Sequence, residues 1–156
     1  MAGRTAGFML GAALAGAMAL GAPADHYTAA QLGHDMAKLK AQAAATGSAS
    51  EKLQQYPNHF SMLAYRNRDG GGEIHQQFAD LFYVVRGKAT LLTGGSIPDA
   101  KEKSPGELRG AAVVGGEKTA LRAGDVVHIP AGTPHQLLIS PGHDFLYFVV
   151  KVKEHE

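Results

Sequence analysis

Gly124-Asp125-Val126-Val127-His128-Ile129-Pro130-Ala131-Gly132-Thr133-Pro134-His135 reads as a short strand held between two turns. Gly124 opens the first turn, and Val126 to Ile129 is a β-branched run interrupted by one histidine. Pro130, Gly132 and Pro134 impose the second turn, the prolines by fixing φ and the glycine by freeing it. His135 then begins a new apolar run through Leu137, Leu138 and Ile139. It is therefore expected at a strand start, its ring directed to one face of a sheet.

Working outward, the chain shows a period of two from Phe60 onward. Strands are expected at His59–Arg66, Glu73–Gln77, Asp80–Arg86, Lys88–Thr93, Leu108–Val114, Thr119–Arg122, Val126–Pro130, His135–Ser140 and Phe145–Lys153, most of them parted by Gly- or Pro-bearing turns. Many short strands with regular turns indicate a sandwich or closed barrel. Before them, Thr28 to Ala45 has the composition of a helix, with Thr28 as N-cap and Thr46-Gly47-Ser48 as its end. Leu32, Met36, Leu39 and Ala43 fall on one narrow face, which suits packing on the outside of the barrel or on a second subunit.

The Gly124–His135 pattern resembles the second signature motif of the cupin family at its four main positions. An altered first motif lies upstream as Glu73-x-His75-x4-Asp80-x6-Gly87. Glu73 stands where the family has a histidine, and Asp80 where it has a glutamate. A second register, with His75 first and Gln77 next, leaves too few residues before Asp80. Asn67 and Ile139 replace a glycine and an asparagine of the pattern. The resemblance covers roughly Phe60 to Lys151. It implies an all-β fold, a small jelly-roll cupin β-barrel with a short N-terminal helix, and a homodimer through barrel faces or N-terminal segments.

Residues two apart on a strand point the same way, so Glu73 and His75 share a face. The resemblance brings His135 beside them from a neighbouring strand and puts Asp80 at the start of the next. Glu73, His75, His135 and Asp80 would then bind a divalent metal, since two histidines and one carboxylate suit Fe, Mn, Ni or Zn alike. Asp80, one methylene shorter than glutamate, has two open roles, fourth ligand or general base. Tyr65 and Gln77 are the expected substrate-orienting residues. Phe82 and Tyr147 share the parity for lining the pocket or packing the core. His26, His34, His59, His128, His143 and His155 lack partner spacing and are expected at the surface.

Residues 1–24 read as a cleavable signal peptide: Arg4, an apolar run from Phe8 to Leu20, and Ala22-Pro23-Ala24 before Asp25. The organisation expected is thus 1–24 leader, 25–57 helix and linker, and 58–156 barrel, with a periplasmic or secreted product. Removing Arg4 balances 14 Lys and Arg against 14 Asp and Glu, which argues against nucleic acid or an anionic membrane as partner. The partner expected is a small molecule. With no cysteine, disulfides and thiolate chemistry are excluded. No H-E-x-x-H, G-x-S-x-G or dinucleotide fingerprint occurs. Residues 94–117, rich in Gly, Pro and charge, form an insertion expected as a hairpin at the barrel rim, either a lid or a surface excursion. Dioxygenase-, isomerase- or lyase-type chemistry and a non-catalytic periplasmic binding module are both open on this reading.

Overall fold

The computed structural model describes residues 23–154. The expected leader, up to residue 22, and His155 lie outside these described residues. Helix α1 spans Ala29–Gln42. The Thr28 hydroxyl accepts from Gln31 N at 3.2 Å, and the Gln31 side chain accepts from Thr28 N at 2.8 Å. This reciprocal cap satisfies two of the amides that a helix start leaves unpaired. The helix ends three residues before the expected Ala45 because the chain tightens into turns there, with Gly47 N donating back to Ala43 O at 2.7 Å.

Ten strands follow: β1 Ser48–Gln55, β2 His59–Arg66, β3 Gly72–His75, β4 Phe78–Thr93, β5 Lys101–Ser104, β6 Glu107–Gly110, β7 Glu117–Arg122, β8 Val126–Ile129, β9 His135–Leu138 and β10 Phe145–Lys153. Residues 48–55, read from sequence as linker, are a strand paired to β2. Their polar run offers only Ala49 and Leu53 as apolar markers, too few to show a period of two. The expected strands Asp80–Arg86 and Lys88–Thr93 are one continuous β4. Leu108–Val114 is shorter than expected and begins earlier, as β6, because Gly106 at φ +77° completes a hairpin from β5.

The strands form two facing antiparallel layers. One runs β1-β2-β10-β4-β8 and the other β5-β6-β3-β9-β4-β7. Strand β4 belongs to both. Its first half pairs with β10 and β8, its second half with β7 and β9. Gly87 marks the change of layer, with φ at +85°. A Cβ there would lie 1.9 Å from the Asp144 carbonyl oxygen, so no other residue fits without displacing the start of β10. Between the layers pack Phe82 and Val84 of β4, Phe145, Tyr147 and Val149 of β10, and Leu137 of β9. On the outer side of the first layer, Leu32, Met36 and Leu39 of α1 cover Leu63, Tyr65 and Leu146. The fold is the small all-β jelly-roll barrel with a short N-terminal helix that the sequence led us to expect.

Gly87→Ala is expected to destabilise the protein by at least about 2 kcal/mol, from the left-handed φ together with the clash. Urea unfolding measures it, and a loss below about 0.5 kcal/mol would show that the bend does not depend on glycine.

Candidate metal centre

The motif turn does two jobs for the site. Gly132, at φ +76°, turns its amide to the His75 carbonyl at 2.8 Å and so ties the turn to β3. The Thr133 carbonyl accepts from His135 Nδ1 at 2.9 Å and fixes that ring. Strand β9 lies beside β3 with Glu73 directly paired to His135, and β9 in turn pairs with β4. Glu73, His75 and His135 thereby project into the interior together with Asp80 of β4, and the two imidazole centroids are 5.0 Å apart.

Four donor atoms converge there. His75 Nε2 is 3.6 Å from Glu73 Oε2 and 3.5 Å from Asp80 Oδ2. His135 Nε2 is 3.9 Å from each of the same two oxygens. Ligands sharing a first-row ion at about 2.1 Å sit roughly 3 to 3.5 Å apart, so a contraction closes Glu73, His75 and His135 on a metal. The proton positions agree. Glu107 Oε2 takes His75 Nδ1 at 2.6 Å, and Thr133 O takes His135 Nδ1. Both acceptors lack a proton of their own, so each Nδ1 carries the hydrogen, and a neutral ring in this tautomer presents its Nε2 lone pair inward. This is the outer-shell pattern that orients metal-binding histidines. His75 Nε2 is buried and has no hydrogen-bond partner among the described residues. A buried ring nitrogen facing two carboxylates calls for a cation or a proton between them, and Glu73, His75 and His135, whose donor atoms all lie within 4.8 Å of one another, fit a divalent ion, with Asp80 beside them.

Charge around this point is tightly paired. Glu73 binds Arg66 NH2 through Oε1 at 3.1 Å and Arg109 NH1 through Oε2. Arg109 also reaches Glu107 at 3.0 Å, and Lys151 Nζ sits on Asp80 Oδ1. Burial pushes the Glu73 carboxyl up, but Arg109 and Arg66 hold it below the usual carboxylate range. Burial likewise raises Asp80, yet the facing His75 and the Lys151 ammonium bring it down to about 2. Burial opposes a proton on His75, and its partners Asp80 and Glu107 outweigh that effect, so His75 is raised. For His135 burial prevails over the Thr133 carbonyl and the acids, and it is lowered.

Of the two expected substrate-orienting residues, Tyr65 borders the cavity beside Ala64 and Arg66 while most of its side chain packs under α1 with Leu39 and Leu63. Gln77 lies past the end of β3, beside the Gly106 turn, and does not line the cavity. The tyrosine on the interior is Tyr147, whose hydroxyl accepts from Arg66 Nε at 3.3 Å. His26, His34, His59, His128 and His143 are at the surface, with His128 near Glu154 at 3.8 Å.

Sequence reasoning missed Arg66, Lys151, Glu107 and Arg109. A signal existed for two of them: Arg66 continues the inward parity of Met62 and Ala64, and Lys151 that of Tyr147 and Val149. A charge in step with core residues marks an internal partner. For Glu107 and Arg109 no local signal exists, since they come from the insertion. Hairpin β5–β6 adds to the free edge of β3 in the register Glu73↔Arg109 and His75↔Glu107. Ile97 and Val113 pack with Leu92 and Ile74 beneath it. The insertion is thus a wall of the site, not a surface excursion.

No family model matches the chain, and no curated protein matches it. Solved structures match its fold. An uncharacterized conserved protein with a double-stranded β-helix domain from Klebsiella pneumoniae is 15% identical, with a TM-score of 0.51 over 69% of this chain and 78% of the other. KdgF from Halomonas sp. is 18% identical, with a TM-score of 0.51 over 70% and 83%. The DMSP lyase DddQ from Ruegeria pomeroyi is 16% identical, with a TM-score of 0.52 over 72% of this chain, which spans 50% of that enzyme. At this identity the likeness establishes the double-stranded β-helix barrel alone.

The depressed Asp80 carboxyl makes a pH prediction for metal-free protein. Its stabilisation is present above the ordinary value of 3.8 and lost as pH falls toward about 2. Metal-free protein is expected to lose about 2 kcal/mol over that interval through this group. Urea titrations from pH 5 to pH 2 should show a shallower acid loss in Asp80→Asn. Identical slopes would show that Asp80, paired with His75 and Lys151, is not the source of the acid loss.

Proposed function

We propose that this chain, a cupin-fold protein, binds one divalent metal ion through Glu73, His75 and His135 and acts on a small organic molecule. The observation that carries the reading is the buried Nε2 of His75, without a hydrogen-bond partner among the described residues and converging with donors of Glu73 and His135. A bound ion supplies Lewis acidity toward a substrate oxygen, or a water of lowered pKa. Asp80 stands as fourth ligand or as general base, its Oδ2 facing the same point and its Oδ1 held by Lys151. Tyr147 and Arg66 orient the substrate from the cavity wall, which Tyr65 also borders and Gln77 does not. Dioxygenase-, isomerase- or lyase-type chemistry fits such a centre, and one structural neighbour is named a DMSP lyase.

A second reading, a non-catalytic small-molecule or metal-binding module, is favoured by one feature. Both oxygens of Glu73 are already engaged by Arg66 and Arg109, which must yield before Oε2 is free for an ion. We extend the proposal to an exported, periplasmic or secreted homodimer. Export rests on the sequence of residues 1–24. The dimer rests on Leu81, Tyr83 and Val126, 41%, 45% and 68% exposed on the outer face where β4 pairs with β8.

Elemental analysis of untagged protein is expected to find close to one metal per chain, and essentially none in His75→Ala/His135→Ala. No metal in either protein after reconstitution would favour the binding module. Iron would direct the substrate search to oxygenation, and Mn, Ni or Zn to isomerase or lyase chemistry. Native mass spectrometry of protein recovered from its source should give two chains, each lacking residues 1–24; a full-length monomer would refute both extensions.

A further inference from the structure

The three cations beside the candidate centre bear on what the site accepts. Arg66, Arg109 and Lys151 line a single cavity of about 280 Å³ together with Glu73, His75 and Asp80. With the imidazoles neutral, these cations are balanced by Glu73, Asp80 and Glu107. In the protonation state that binds a metal, the three cations and three acids therefore cancel. Glu73 and Asp80 side chains are only 19% and 10% exposed, so a divalent ion placed between them leaves an excess of two positive charges largely out of water. Uncompensated charge in such surroundings is strongly disfavoured.

The excess has a location. Glu73 Oε2 faces both imidazoles and also holds Arg109. Once that oxygen serves an ion, the guanidinium loses a partner. Spare donors are present as well. Arg66 has five N–H groups and uses two, toward Tyr147 and Glu73, and Lys151 uses one of three among the described residues. Forked guanidinium donors match an oxyanion with two oxygens. The same cavity has an apolar wall of Met62, Ala64 and Val149, which suits carbon. Its volume equals about nine waters at roughly 30 Å³ each, enough for an acid of a few carbons and too little for a polymer.

We propose that the molecule taken beside the metal is a small organic carboxylate, its charged end held by Arg66, Arg109 and Lys151 and its carbon chain against Met62 and Val149. This rests on the metal-binding reading above and names the substrate class of that site. Anion and metal then bind with positive coupling, because each compensates the charge of the other.

Calorimetric titration of Mn²⁺ into full-length protein tests it, alone and with saturating butyrate, butyramide or inorganic phosphate. Butyrate should tighten Mn²⁺ by about ten-fold, within the usual range of coupling between sites. Butyramide, the same shape without charge, should leave it unchanged. Arg109→Gln, at a half-exposed side chain on the hairpin, should bind Mn²⁺ more tightly than the natural protein without butyrate and lose the butyrate effect. An Mn²⁺ affinity indifferent to butyrate would overturn the inference and leave the metal reading standing. An equal effect from phosphate would overturn the assignment to carboxylates. Absence of Mn²⁺ binding under every condition would overturn the metal reading, and this inference with it.

Discussion

Strand β4 is the common wall of both layers, and it can be so only because the backbone at Gly87 takes a φ of +85°. Before that residue the strand is hydrogen-bonded to β10 and β8; after it, to β7 and β9. The bend brings Asp80, on the first half, opposite the pair Glu73 and His135, which is bonded through β9 to the second half. A sheet that stayed flat would leave these groups on separate surfaces. Backbone geometry at one glycine therefore precedes every electrostatic statement that can be made about the interior.

The interior is unusual in how its polar groups are satisfied. Three acids and three bases, from β2, β3, β4, β6 and β10, meet in one connected network with two imidazoles. Taking so many charges out of water opposes folding, and the network recovers this only through near-complete pairing. The one buried ring nitrogen left over in it, on His75, is the atom through which the site most plainly looks outward for a ligand. Rigid carriers contribute as much as charge. Each imidazole is fixed at Nδ1, Glu73 is held by Arg66 at Oε1 and by Arg109 at Oε2, and Asp80 is held by Lys151 at Oδ1.

Much of this was legible in the sequence because it was local. The turn Pro130 to His135, the parity of Glu73 and His75, and the capped helix after Thr28 are each written in a few consecutive residues, and the barrel followed from them. What was illegible was non-local or compositionally disguised. Strand β1 is so polar that its pattern vanishes, although pairing to β2 and cover from α1 give it a place. Tyr65 was expected at the pocket or in the core by its strand parity, and it does both, packing with Leu63 under the helix while bordering the cavity. Glu107 and Arg109 reach the site through a register between segments more than thirty residues apart, and no single-strand pattern encodes that.

The layers end in strands that resist self-association. At the far edge of the second layer, β5 reads Lys101-Glu102-Lys103-Ser104 and is exposed along its whole length. At the edge of the first, β1 carries Ser, Glu, Lys and Gln. An unclosed sheet presents unpaired amides and carbonyls that invite another chain to add a strand, and charged edges, lysine above all, discourage it. A cysteine-free barrel has no covalent brace to limit fraying at such edges. The charges at β5 and β1 disfavour strand addition at these two edges while the sheet stays open.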